Sequence, residues 1–77
     1  MALNIAVIRD HLAMAERHVA SGNRVIMRQK ELITELDTDG HDVTEAIALL
    51  IRFEDLLALH LADRDRLADE LKSAEHK

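Results

Sequence analysis

The side chains in this chain best able to hold a metal ion are five histidines and three methionines. His11, Met14 and His18 fall at i, i+3 and i+7, on one face of a helix. A chain folded back on itself near residues 39–40 would bring His60 beside His18, with Asp63 one turn further along. Imidazole with thioether is a donor set that suits copper. Against that reading, no H-x3-H, E-x-x-H or H-E-x-x-H occurs, so no two ligands have the single-turn spacing that helical zinc and di-iron sites use. The spacing therefore favours histidines that flank a core or hydrogen-bond locally, and no metal ligand is assigned. Glu35, Asp37 and Asp39 ahead of Gly40 have a superficial calcium-loop look. With Gly40 at the sixth position of an EF-hand, however, the twelfth falls on Ala46, which has no carboxylate to close the site.

Catalysis has as little to build on. No serine stands in a nucleophile-elbow context and no glycine-rich loop could cradle a phosphate. With no cysteine, thiolate chemistry, zinc–sulfur sites and disulfides are excluded. The expectation is a protein that is not an enzyme, with no catalytic residues and no cofactor.

The remaining chemistry is charge. Arg17, Arg24, Arg28 and Lys30 occupy a segment that holds no acid between Glu16 and Glu31, and Arg17, Ser21, Arg24 and Arg28 share one helix face. This is a candidate partner-binding face. The competing reading pairs these arginines within the chain to Glu54, Asp55 and Asp63. A net charge of −5 disfavours general binding to nucleic acid or to anionic membrane. Residues 38–77 hold the whole acidic excess, with ten acids against five bases, whereas residues 1–37 are balanced at five each. An acidic protein segment suits the arginine face better than a nucleic acid does, and no aromatic ring is near to stack on bases.

The elements that position these groups follow from periodicity. Asn4 is a fitting N-cap, and a spacing of alternating three and four residues then selects Ile5, Ile8, Leu12, Ala15, Val19, Gly22, Ile26, Gln29, Ile33 and Leu36. The stripe predicts a helix over about 4–37, continuous through Gly22, where the missing side chain would let a second helix come close. Gly40 suits the left-handed position just past that helix. Asp42 can cap the next one, with Glu45 reaching back in a capping box. From residue 43 the same spacing selects Val43, Ala46, Leu50, Phe53, Leu57, His60, Arg64, Leu67, Leu71 and Ala74, giving a second helix over about 43–73 that frays near Ser73.

The fold expected is all-α, an antiparallel helical hairpin spanning residues 1–77 as one domain. Its second helix is too apolar for one neighbour to cover, because Ile47, Leu49, Ile51, Leu56 and Leu59 fall to both sides of the stripe, and Val25 and Leu32 widen it on the first helix. A second copy is the simplest cover, making a homodimeric four-helix bundle with those seven residues as the dimer interface. No apolar run approaches the roughly 18 to 20 residues that cross a bilayer, and no basic-then-apolar leader precedes the first helix. The location expected is the cytoplasm.

At Ala15-Glu16-Arg17-His18-Val19-Ala20, Leu36-Asp37-Thr38-Asp39-Gly40-His41-Asp42 and His60-Leu61-Ala62-Asp63-Arg64-Asp65-Arg66-Leu67 the chain resembles a group of short bacterial proteins found in alpha-proteobacteria. The likeness extends over most of the chain and implies a bacterial cytoplasmic protein, with no activity attached. In architecture alone it resembles the repressor-of-primer proteins of ColE1-type plasmids, dimeric hairpins that bind paired RNA loops. The function expected is therefore a small homodimeric interaction module binding another protein. The alternatives are a histidine-based metal-binding or pH-responsive protein and a weak nucleic-acid binder through the arginine stripe.

Overall fold

In the computed structural model, which describes residues 4–76, the chain forms two helices packed as an antiparallel hairpin, α1 (Ile5–Thr38) and α2 (Thr44–Glu75). The first is capped as its sequence implies, the Asn4 side-chain oxygen accepting from the Ala6 N–H at 2.8 Å. It then runs unbroken through Gly22, because all ten stripe residues keep one phase and a break would turn half of them away from the partner helix.

The turn closes on Gly40, whose φ of +78° is in the left-handed region. The His41 N–H donates to the Leu36 carbonyl at 2.9 Å and the Gly40 N–H to the Asp37 carbonyl at 3.1 Å, the two bonds of a Schellman ending. The start of α2 departs from the capping box. Val43 is the N-cap residue, and Asp42, just outside, accepts from both the Thr44 N–H at 2.9 Å and the Thr44 hydroxyl at 2.7 Å. These two bonds, the hydroxyl first, lower the Asp42 carboxyl pKa. The Asp42 carboxylate thus accepts from Thr44 instead of from the Glu45 N–H, and among the described residues the Asp42 N–H makes no return bond to the Glu45 side chain. At the far end α2 does not fray at Ser73. It continues to Glu75, which Arg9 holds at 2.9 Å across the hairpin.

All twenty stripe residues are at least partly buried, and the stripe is where the two helices meet. Ile8, Ala15, Val19, Ile26 and Leu67 form the most enclosed part, with one polar member, Gln29. Gln29 fits because its side-chain N–H donates to the Ala46 carbonyl at 2.9 Å, which joins the middle of one helix to the first turns of the other. The result is a rod of 59 × 14 × 14 Å.

Candidate functional site

The close approach anticipated at Gly22 is present. A Cβ placed there would lie 3.1 Å from Leu57 Cδ1, so the α2 side chain occupies the space that a side chain on α1 would otherwise fill. Beside this crossing lies an open, predominantly apolar groove of about 300 Å³. Val25, Phe53, Leu56 and Leu57 line it, with His18 and His60 also on its border. Sequence periodicity alone does not reveal this groove. Its signal is the pair of small residues Ser21 and Gly22 level with two adjacent leucines, Leu56 and Leu57, in the folded-back register.

The hairpin divides the seven residues expected at a dimer interface. Val25 and Leu32 each immediately precede a stripe residue of α1, and Leu49 and Leu56 do the same on α2. In an antiparallel pair these positions share one flank, as the groove demonstrates for Val25 and Leu56. Leu59, 67% exposed, lies on the outer edge of that flank, one turn from Leu56. Ile47 follows a stripe residue instead, and it falls with Ile51 on the opposite flank, the side where Arg9 meets Glu75. One neighbour cannot lie against both flanks at once. All seven are exposed.

The histidine cluster is partly assembled. The His18 and His60 rings stand 5.1 Å apart at 58°. His11, Met14, His18 and Asp63 border a second, smaller and more polar hollow of about 150 Å³ on the same flank. Arg66, which the sequence reading did not connect with this cluster, enters the hollow and takes Asp63 at 2.6 Å while also meeting Glu70 at 2.8 Å. Hydrogen bonds from Arg66 to those two carboxylates raise its pKa and keep it charged. Asp63 is thereby committed to a guanidinium, and among the described residues no three of the histidines and carboxylates converge as a metal site would need. Arg64, the polar stripe residue after His60, turns out to Asp65 at 2.8 Å.

The arginine face is also changed by the structure. The expected bridges from Arg17, Arg24 and Arg28 to Glu54, Asp55 and Asp63 do not form. Asp63 is taken by Arg66, Arg28 meets Glu31 on its own helix at 3.6 Å, and Arg24 donates to the Ser21 hydroxyl at 3.1 Å. Among the described residues Arg17 has no ion-pair partner. The cause is placement: Arg17 and Arg24 lie on the side of α1 turned away from α2. None of the three meets Glu54, Asp55 or Asp63, and the one intrachain ion pair among them is Arg28 with Glu31, at an exposed position.

Among the described residues no helix is long and apolar enough to cross a membrane. Set against protein-family models, curated proteins and solved structures, the chain gives no match.

Proposed function

We infer that the protein is a small, non-catalytic helical module of the bacterial cytoplasm that associates with itself as a four-helix bundle and presents a charged outer face to another protein. The observation that carries the reading is surface left uncovered. The chain exposes 5917 Å², whereas a compact monomer of its mass would expose about 4,700 Å². Its radius of gyration is 17.4 Å, against about 11.5 Å for a compact domain of this length. Among the described residues no large side chain is completely enclosed. The uncovered area is apolar where it matters, with Met27, Leu56 and Leu59 half or more exposed. The difference, about 1,200 Å², exceeds the roughly 800 Å² that each partner contributes to a standard interface.

Sedimentation equilibrium between 1 and 100 µM is the direct test. A mass near twice 8.7 kDa is expected throughout the upper part of that range, and a monomer at 100 µM would overturn the reading.

The partner-binding part rests on Arg17 and Arg24, which the intrachain acids leave unneutralised. An acidic protein segment is the occupant whose chemistry fits them. The double variant Arg17→Glu, Arg24→Glu is expected to keep its melting temperature and its dimer mass while losing affinity for a glutamate-rich peptide at low salt. Loss of thermal stability instead would mean that the arginines serve the fold.

A further inference from the structure

The flank that carries the groove changes character along its length, and the change specifies how a second copy can lie on it. Near the turn its paired positions are Leu32 with Leu49, then Val25 with Leu56. Toward the chain ends they become His18 with Asp63, then His11 with Glu70. The folded register sets these pairs level, since Gly22 meets Leu57 and His18 meets His60. One half of the flank is thus aliphatic, and the other sets a histidine on α1 against an acid on α2.

Two copies related by a twofold axis can join this flank to itself in three ways. If the hairpins overlap fully but point in opposite directions, the leucines of one half face the Asp63–Arg66–Glu70 ion pairs of the other copy, which buries charge against hydrocarbon. If they point in opposite directions and overlap only at their turn halves, the leucines match but half the rod is unused. A flank 59 Å long and 14 Å wide offers a footprint of about 800 Å², which is one partner's share of a standard interface. Half of that falls in the range of weak contacts. The third way points both hairpins the same direction, with the axis along the rod.

In this third arrangement α1 of each copy lies against α2 of the other at equal height. Leu32 then meets Leu49 and Val25 meets Leu56, while His18 and His11 face the Asp63–Arg66–Glu70 cluster of the other copy across the interface over the full length. Every helix keeps two antiparallel neighbours, the up-down-up-down order of a four-helix bundle. Leu59, the most exposed of the large hydrophobic residues described, arrives level with the partner's Ser21 and Gly22, where the groove has room for it. We propose that the groove-bearing flank is the self-association surface and that its occupant is a second copy lying parallel, both turns at one end. This rests on the self-association inferred above and adds to it the flank and the direction.

The cysteine-free chain allows a clean test. Single substitutions His41→Cys at the turn and Lys72→Cys near the other end, both at exposed positions, accept a nitroxide label. Dipolar spectroscopy on each labelled dimer then reports its own separation, with circular dichroism and sedimentation confirming fold and mass. Helix axes about 8 to 10 Å apart in a bundle place both label pairs within about 30 Å in the parallel arrangement. Full antiparallel overlap would put both pairs toward the 59 Å length of the rod. Half overlap would put the Lys72 pair further still. Two short distances support the proposal, and a long distance at either site in a confirmed dimer overturns it. A monomeric mass would instead overturn the self-association on which it rests. To identify the flank, Leu59→Lys is expected to weaken dimerisation at least tenfold and Ile51→Lys to leave it unchanged. The reverse pattern would move the interface to the other flank.

Discussion

The two halves of the hairpin are built on the same stripe yet differ in how completely they satisfy themselves. The half remote from the turn holds most of the enclosed core, with Ile8, Ala15, Val19 and Leu67, and it is laced by Arg9–Glu75, Arg66–Asp63 and Arg66–Glu70. The turn half has Ile26 and Gln29 as its enclosed residues and exposes Val25, Met27, Leu32, Ile47, Leu49, Ile51 and Leu56. Periodicity brings two helices together equally well in both. What separates them is the position just before each stripe residue on the groove-bearing flank, histidine against acid in one half and aliphatic in the other. A half flanked by charge is finished by water, and a half flanked by leucine is finished by another protein surface.

The sharpest way to break this comparison is to put charge where the turn half has none. Leu49→Glu is expected to weaken association at least a hundredfold, because it buries an unpaired carboxylate, an effect of about 3 kcal/mol or more. Asp69→Lys, on the solvent side of the other half, should change neither mass nor melting temperature. Sedimentation with thermal circular dichroism reads both, and equal responses would erase the distinction between the halves.

A smaller effect is expected at the polar residue inside the turn half. Gln29→Ala removes the bond to the Ala46 carbonyl and should cost about 1 to 2 kcal/mol in denaturant unfolding. Gln29→Leu should recover that stability and broaden the range of helix registers seen by amide exchange. At the boundary between halves, Gly22→Ala should stabilise by about 0.5 to 1 kcal/mol, since alanine favours the helix and Leu57 Cδ1 is the end of a flexible side chain that can shift by the few tenths of an ångström required. A lower melting temperature would show that Leu57 is held fast.

The smallest effect concerns pH. The folded pKa of Asp42 lies below its unfolded value, so its contribution is present above the unfolded carboxylate range and is lost as pH falls through the folded value. Asp42→Asn should therefore flatten the acid limb of stability below about pH 4 and leave the curve at neutral pH slightly lowered. An unchanged acid limb would remove the role given to the two Thr44 bonds.

The stripe, the continuous passage through Gly22 and the turn at Gly40 were all legible in the sequence, because each follows from a local rule that the partner helix merely reinforces. The placement of individual ion pairs was not. Arg66 has Asp63 three residues before it and Glu70 four after it, and such same-helix pairs compete with cross-helix ones over a shorter reach. The same holds for the cap of α2, where Thr44 takes Asp42 through two donors before Glu45 can matter. Which flank Leu49 and Ile51 occupy is implicit in the numbering, but it acquires consequences only once a neighbouring helix divides the surface in two.

The turn also sets an order of events. The bond from Gln29 to Ala46 closes 17 residues, whereas Arg9 to Glu75 spans 66. Closing the longer loop first would cost about 1 kcal/mol more in chain entropy than closing the shorter. Once the Schellman turn and Gln29 are in place, each further pair adds only a few residues of constraint, so the hairpin should close like a zipper from Gly40 outward. Its last-formed and first-opened contacts then lie beside the chain ends, and the leucines nearest the turn meet one another before the histidine half has formed.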